Sequence, residues 1–434
     1  MHNFSLLFRR AAMIASALLC LGPQSGFGDA DGSGAVGPTG TTVLTVQEAI
    51  RLALLHHPDF RAGAWRVEAA EGRAKQLRLW PNPELQFSAE EMPTDGGGLS
   101  GSLNQAGIAQ TVPFPGKSML DGRIGRLAVR ESEADLGALR IELEKGVKIA
   151  FARLLAAEGL VAVARELVGV AQKEATVARE RANAGGVPAQ EQLRAEIAWE
   201  QAKTQLTGFE GELEVARRGL AGAIGRPDLA SASIRGSLRE SADFSMFDRG
   251  RGAASASHPT LQAAETARDR AQAELRRAQI DPMPDVTLGI SGGRDEAANA
   301  GIMGFRVSLP LPLIDRSQAK TREARAEAAI AENAVEAARQ RLAREWAEAE
   351  SRLRSADAQA NAYRTKILPK ALEALQLVQT GFEQGKFPFI DLLDTQRTVA
   401  ETRLAYQQKL LELGIAQAEL EALLQPWANQ TTPR

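Results

Sequence analysis

Apolar positions along this chain follow two periods that alternate in a fixed order. From about residue 117 to 184 they recur at helical spacing, through Leu136, Leu139, Leu143, Val147, Ala150 and Leu154, then Leu160, Ala164, Leu167 and Ala171. No proline falls between Pro115 and Pro188, and the run is rich in Ala, Leu, Glu, Arg and Val, mostly strong helix formers. At 1.5 Å per residue, its 68 residues predict a helix of about 100 Å. No compact domain of this size has so long an interior, so the helix has to lie along others.

Ahead of it, Thr45-Val46-Gln47-Glu48 resembles a capping box, with Thr45 as N-cap. Helical periodicity follows through Ile50 and Leu54, pauses at His57-Pro58, and resumes through Trp65 and Ala69 to about Leu79, where Trp80-Pro81-Asn82-Pro83 stops it. The period then becomes two. Apolar and polar residues alternate over about 83–91 and again over about 104–112, with a glycine-rich loop between, and this predicts two short strands. Pro113-Phe114-Pro115-Gly116 ends the second strand and opens the long helix. Gly185-Gly186 stops that helix, and Pro188 stands where a first helical turn tolerates it, before a helix that reaches about Ile224.

The same programme then recurs. His258-Pro259 matches His57-Pro58 at an offset of 201 residues, Pro310-Leu311-Pro312 matches Pro113-Phe114-Pro115 at 197, and Gly385-Lys386-Phe387-Pro388 matches Gly185-Gly186-Val187-Pro188 at 200. Recurrence of both position and order predicts two structural repeats of helix, β-hairpin, long helix and helix. The first repeat is placed at 45–225 and the second at 258–425, with strands at about 284–292 and 301–309 and a long helix at about 316–384, interrupted by Pro369. Residues 226–257 read as a linker and 426–434 as a tail.

Residues 1–28 have the form of an export signal: Arg9 and Arg10, an apolar run from Ala11 to Leu21, and a small-x-small site at Gly26-Phe27-Gly28. Residues 29–44 read as a flexible lead-in. The one cysteine, Cys20, follows Leu19 rather than the small residue that lipidation requires, so the mature chain is expected to start near Asp29 with no thiol. A formal charge of −2 gives no sign of a nucleic-acid surface. Aromatic residues make up only 5%, which suits alanine-rich helices in a thin wall better than a thick core.

Strands of about nine residues match the length that crosses an outer-membrane bilayer when tilted. The chain supplies four, and open sheet edges are not tolerated in lipid, so other copies are required to close them.

The paired repeats, the Pro-x-Pro joints and the Gly385-Lys386-Phe387-Pro388-Phe389-Ile390-Asp391-Leu392-Leu393-Asp394 run resemble the TolC family of outer-membrane efflux channels, over essentially the whole mature chain. Pro113-Phe114-Pro115-Gly116-Lys117 with Ile367-Leu368-Pro369 is more similar to the cobalt–zinc–cadmium and copper (heavy-metal) branch than to the drug branch. The resemblance implies a mainly α protein with a membrane β-barrel: a homotrimer whose twelve-stranded barrel continues into a long α-helical barrel in the periplasm. It makes the linker an equatorial region. It also implies two partners, a periplasmic adaptor and an inner-membrane pump of the resistance–nodulation–division type. Export of drugs or of type I secreted polypeptides stays open within this reading. The alternative outside it is an exported structural coiled coil, against which the alternating segments speak.

Asp391, Asp394, Thr398 and Glu401 are spaced to share one helix face, while Ile390 and Leu393 point toward packing partners. Acidic residues at a helix start also complement its dipole, and the spacing alone leaves both readings open. The resemblance implies that Asp391 and Asp394 line a closed periplasmic aperture, with Glu191 the first-repeat equivalent of Asp391 and Arg194 one turn on. Where drug channels hold this gate with a tyrosine and an arginine, this chain has Phe382 and Phe387, so closure rests on apolar packing or other pairs. Pro113, Pro115, Pro310 and Pro312 are the expected barrel–helix joints, and Gly185, Pro188, Gly385 and Pro388 the hairpin tips. His56, His57 and His258 have no thiols or acidic clusters beside them and read as structural, so no bound metal or cofactor is expected. Arg306, on the polar face of a strand, reads equally as a residue that tunes a pore lumen and as a solvated interior residue. No catalytic constellation appears, and an enzyme is not expected.

Overall fold

The computed structural model describes residues 43–90, 102–184, 188–245, 247, 257–295 and 298–424. The export signal with Cys20, most of the lead-in, the glycine loop after the first strand, Gly185 and the tail lie outside the described residues.

Among the described residues the chain is mostly helical, with one four-stranded sheet and a second, two-residue ladder. In order, the elements are β1 (Val43–Leu44), α1 (Val46–His56), α2 (Pro58–Gln76), β2 (Glu84–Glu90), β3 (Leu103–Val112), α3 (Pro115–Asn183) and α4 (Ala189–Ile224). A 3₁₀ turn (Pro227–Ser231) leads to β4 (Ser233–Ile234) and α5 (Pro259–Gln279). Then come β5 (Val286–Asp295), β6 (Ala300–Ser308) and α6 (Gln318–Ala362). A π-helical turn (Tyr363–Ile367) joins α6 to α7 (Leu368–Glu383), and α8 (Phe389–Leu424) completes the described chain.

Local chemistry explains these boundaries. The Thr45 hydroxyl accepts from Glu48 N–H at 3.3 Å and caps α1. His57 and His258 do the same work for α2 and α5: each imidazole Nδ1 accepts from the N–H two residues on, at 3.3 Å, with proline in the first turn. Burial also lowers the pKa of His258, which favours the neutral ring that this acceptor role needs. The long helix of the second half does not break at Pro369 itself. Pro369 has no N–H to give the carbonyl one turn back, and the chain accommodates this by widening into the π turn just before it. The last two lead-in residues are ordered: Val43 and Leu44 pair in parallel with Ser233 and Ile234, and Leu44 is buried.

The large sheet has strand order β2-β3-β5-β6, antiparallel throughout. Its register places Leu85 beside Ile108, Ile290 and Phe305, and Phe87 with Ala106, Gly292 and Met303, on one face. Gln86, Gly107, Ser291 and Gly304 form a row on the other face, and Glu84, Ala109, Gly289 and Arg306 form the next. Thr111–Thr287 and Ser291–Gln105 side-chain hydrogen bonds cross this polar face at 2.9 and 3.0 Å.

Small residues let the helices lie close. Ala49 and Ala53 of α1 pack with Val147, Phe151 and Leu154 of α3 and Leu213, Leu220 and Ile224 of α4. Trp346, Ala349, Leu353 and Ala356 of α6 pack with Leu410, Leu413, Ala416 and Leu420 of α8.

Candidate functional site

Three surfaces draw attention: the sheet, the joints between sheet and helices, and the hairpin ends far from the sheet in the chain.

The apolar face of the sheet is left exposed. Met303 is 93% exposed, Phe87 75% and Phe305 72%, which is costly in water and natural against lipid. Arg306 stands exposed on the opposite, polar face.

At the joints, Pro113 follows β3 and Pro115 is the first residue of α3. One Asp285 oxygen accepts from Phe114 N–H at 2.9 Å and from the buried Lys117 ammonium at 3.1 Å, so the turn into α3 is pinned beneath β5. Pro310 and Pro312 lie between β6 and α6. There Asp281 collects Arg277 and the Ser317 hydroxyl at 2.9 Å each and Lys320 at 3.2 Å. Burial alone would raise the Asp281 pKa, but these donors together pull it down to about 2.

The hairpin ends bring Phe382, Phe387, Asp391 and Asp394 together. Gly385 takes a left-handed backbone, φ 71°, with its N–H on the Phe382 carbonyl at 3.0 Å. Lys386 N–H reaches the Gly381 carbonyl at 2.8 Å, completing a Schellman stop for α7. Phe387 folds its ring onto Gly381 so closely that a Cβ there has no room. Pro388 then leads into α8, its carbonyl accepting from Asp391 N–H at 3.2 Å; Pro188 and Glu191 repeat this at the start of α4, at 2.9 Å. Asp391, Asp394, Thr398 and Glu401 are all exposed along α8. Glu401 is paired with Arg397 at 2.8 Å, whereas Asp391 and Asp394 have no ion-pair partner among the described residues. Leu393 packs inward, but Ile390 is 37% exposed; Phe389 and Leu392 take the buried positions instead.

Behind this face, Phe382, Phe389 and Leu392 pack on a shelf of Ala175 and Ala178 from α3 and Ala195 from α4. The Phe382 and Phe389 rings are tilted, 5.6 Å apart. The Arg181 guanidinium lies over the Phe382 ring, 4.8 Å from its centre.

Further along α3, burial raises the Glu174 carboxyl from its ordinary 4.5 to about 7, against the opposing pull of a Gln396 hydrogen bond. A raised carboxyl pKa stabilises the fold fully below about 4.5, and the contribution is lost as pH rises through about 7. Thermal unfolding is therefore expected at a lower temperature at pH 8 than at pH 5, and Glu174→Gln should flatten that difference. An unchanged pH profile in the variant would show that Glu174 does not carry it.

No group of three or more His, Cys, Asp or Glu able to hold a metal occurs among the described residues. No described helix is long and apolar enough to cross a membrane.

The outer membrane efflux protein family matches residues 49–226 and 251–424. The chain belongs to this family. It is an outer-membrane efflux channel that extends into the periplasm, of a family whose members conduct rather than catalyse. The cobalt-zinc-cadmium resistance protein CzcC of Cupriavidus metallidurans is 27% identical over 370 residues, covering 84% of this channel and 85% of the relative. The outer membrane protein VceC of Vibrio cholerae superposes with a TM-score of 0.72 at 18% identity, over 88% of this chain and 97% of that one. CusC does so with a TM-score of 0.75 at 17% identity, over 90% and 95%. At these identities the structural likeness is one of fold.

Sequence reasoning missed Arg181 and the alanine shelf. Nothing local to Arg181 marks it; its partner ring lies 201 positions later in the chain.

Proposed function

We propose that three copies close their sheets into one twelve-stranded barrel, and that the channel carries heavy-metal cations from the periplasm to the exterior. The observation that carries the barrel is the sheet: apolar on one face, polar on the other, with β2 and β6 each paired on one side only among the described residues. Backbone groups at such edges need partners in lipid, and identical neighbours supply them with β6 of one copy against β2 of the next. The helices then extend from the two proline joints of each copy as a second, helical barrel. The described part of the linker, residues 226–245, contributes to its equatorial belt, and Asp391 and Asp394 stand at its periplasmic aperture. Such a conduit works in series with a periplasmic adaptor and an inner-membrane pump of the resistance–nodulation–division type.

The cargo reading rests on CzcC, named for resistance to cobalt, zinc and cadmium. Among the described residues no group of three or more His, Cys, Asp or Glu could coordinate such ions, so choice of cargo is assigned to the pump. Deleting the gene in its host is expected to lower the tolerated concentration of cobalt, zinc or cadmium salts several-fold, with recovery on re-expression. Sensitivity confined to organic toxicants would refute the cargo and leave the channel standing.

A further inference from the structure

We propose that Arg181 latches the α7–α8 hairpin to α3 through the face of Phe382, and that this contact, rather than a hydrogen-bonded pair, holds the periplasmic end shut. The proposal rests on the reading of that end as the aperture.

The contact of α7 with the other hairpin is otherwise non-directional. Ala175, Ala178 and Ala195 offer a smooth shelf, and Phe382, Phe389 and Leu392 lie on it. Shape alone lets such rings slide. Among the described residues, no hydrogen bond or ion pair joins α7 to α3 or α4. α8 is tied to α3 by the Gln396–Glu174 hydrogen bond beside the shelf and, higher up, by the ion pairs Arg403–Glu166 at 2.7 Å and Lys148–Glu421 at 2.8 Å. α7 is left with one oriented contact to α3, Arg181 over Phe382. Its geometry suits a latch. The guanidinium sits in the last turn of α3, has no ion-pair partner among the described residues, and meets the ring that begins the Phe382–Phe389 stack. Phenylalanine offers no hydroxyl or charge, but its negative π-face attracts a cation. Breaking the contact leaves neither an unpaired carboxylate nor a buried donor, so the latch can open at little cost. The bland account is that Arg181 merely complements the C-terminal dipole of α3. That account needs no ring at position 382.

The test is planar-bilayer recording of the full assembled channel, with its assembly checked on native gels. Arg181→Ala and Phe382→Leu are each expected to raise the resting open probability about two- to fivefold per copy, the size of an exposed cation–π contact. The double variant should go no further than either single one, and Phe382→Trp should stay closed. Phe382→Leu keeps the charge at the helix end, so opening by this variant excludes the dipole account. Unchanged open probability in the single variants, or additive effects in the double, would overturn the latch. The same recordings of Asp391→Ala/Asp394→Ala separate the two ideas. If the aspartates alter ion preference while Arg181→Ala changes nothing, the aperture survives and the latch falls. If the aspartates change nothing while the Arg181 and Phe382 variants open the channel non-additively, the latch stands and the aspartate assignment falls.

Discussion

A single lysine in place of Phe305 is expected to abolish assembly of the membrane-inserted trimer, whereas a lysine in place of Ser88 is expected to leave it intact. Both positions lie within strands of the large sheet, but on opposite faces. Phe305 shares its row with Ile108 and Ile290, and Ser88 shares its row with Gln105 and Gly293. A lysine on the lipid face near mid-membrane costs roughly 2–4 kcal/mol, and closure of the barrel incurs it in every copy. On the polar face the same charge meets water. Native mass spectrometry of detergent-extracted protein, or mild electrophoresis without boiling, reads the result directly, and the unaltered chain should run as a trimer from the outer-membrane fraction. A soluble, well-behaved monomer of the unaltered chain would sink the barrel. Equal tolerance of both lysines would mean that the faces are assigned wrongly.

The contrast between those faces was legible in the sequence because a strand's side chains alternate with a period of two. Leu85 and Phe87, Leu288 and Ile290, and Met303, Phe305 and Val307 mark their face without any knowledge of pairing. The helical bulk was equally legible, because propensity and proline spacing agree over tens of residues. What escaped was shorter or reciprocal. Val43-Leu44 is too brief to show a period, and only its pairing with Ser233-Ile234 makes it a strand. The π turn at Tyr363–Ile367 carries the effect of Pro369 upstream of the residue that causes it. The acceptor role of His57 and His258 depends on a ring nitrogen reaching a particular N–H, which no spacing rule states. At the candidate site, the exposed acidic face was legible from spacing. The Arg181 contact was not, because an exposed arginine is ordinary until the ring beneath it is seen.

The aspartate face carries the last expectation. In the proposed trimer, Asp391 and Asp394 would gather six carboxylates around one constriction. Thr398 adds no charge to this face, and Glu401 is held by Arg397, so the uncompensated charge is confined to the end of the hairpin. Arg397 does lie near Asp394, but its guanidinium is committed to Glu401. Carboxylate rings concentrate cations at a pore mouth, and they do so most strongly for multivalent ones. The resting channel is therefore expected to pass cations in preference to anions and to be blocked by multivalent cations added from the periplasmic side. Asp391→Ala/Asp394→Ala should lower the cation preference and weaken that block by about tenfold or more, with the trimer intact. Glu401→Ala should do far less, because its charge is already paired. Reversal potentials under a salt gradient, with and without a multivalent cation, measure both effects. If the double variant leaves them where they were, the two aspartates serve only the start of α8, where negative charge complements the helix dipole.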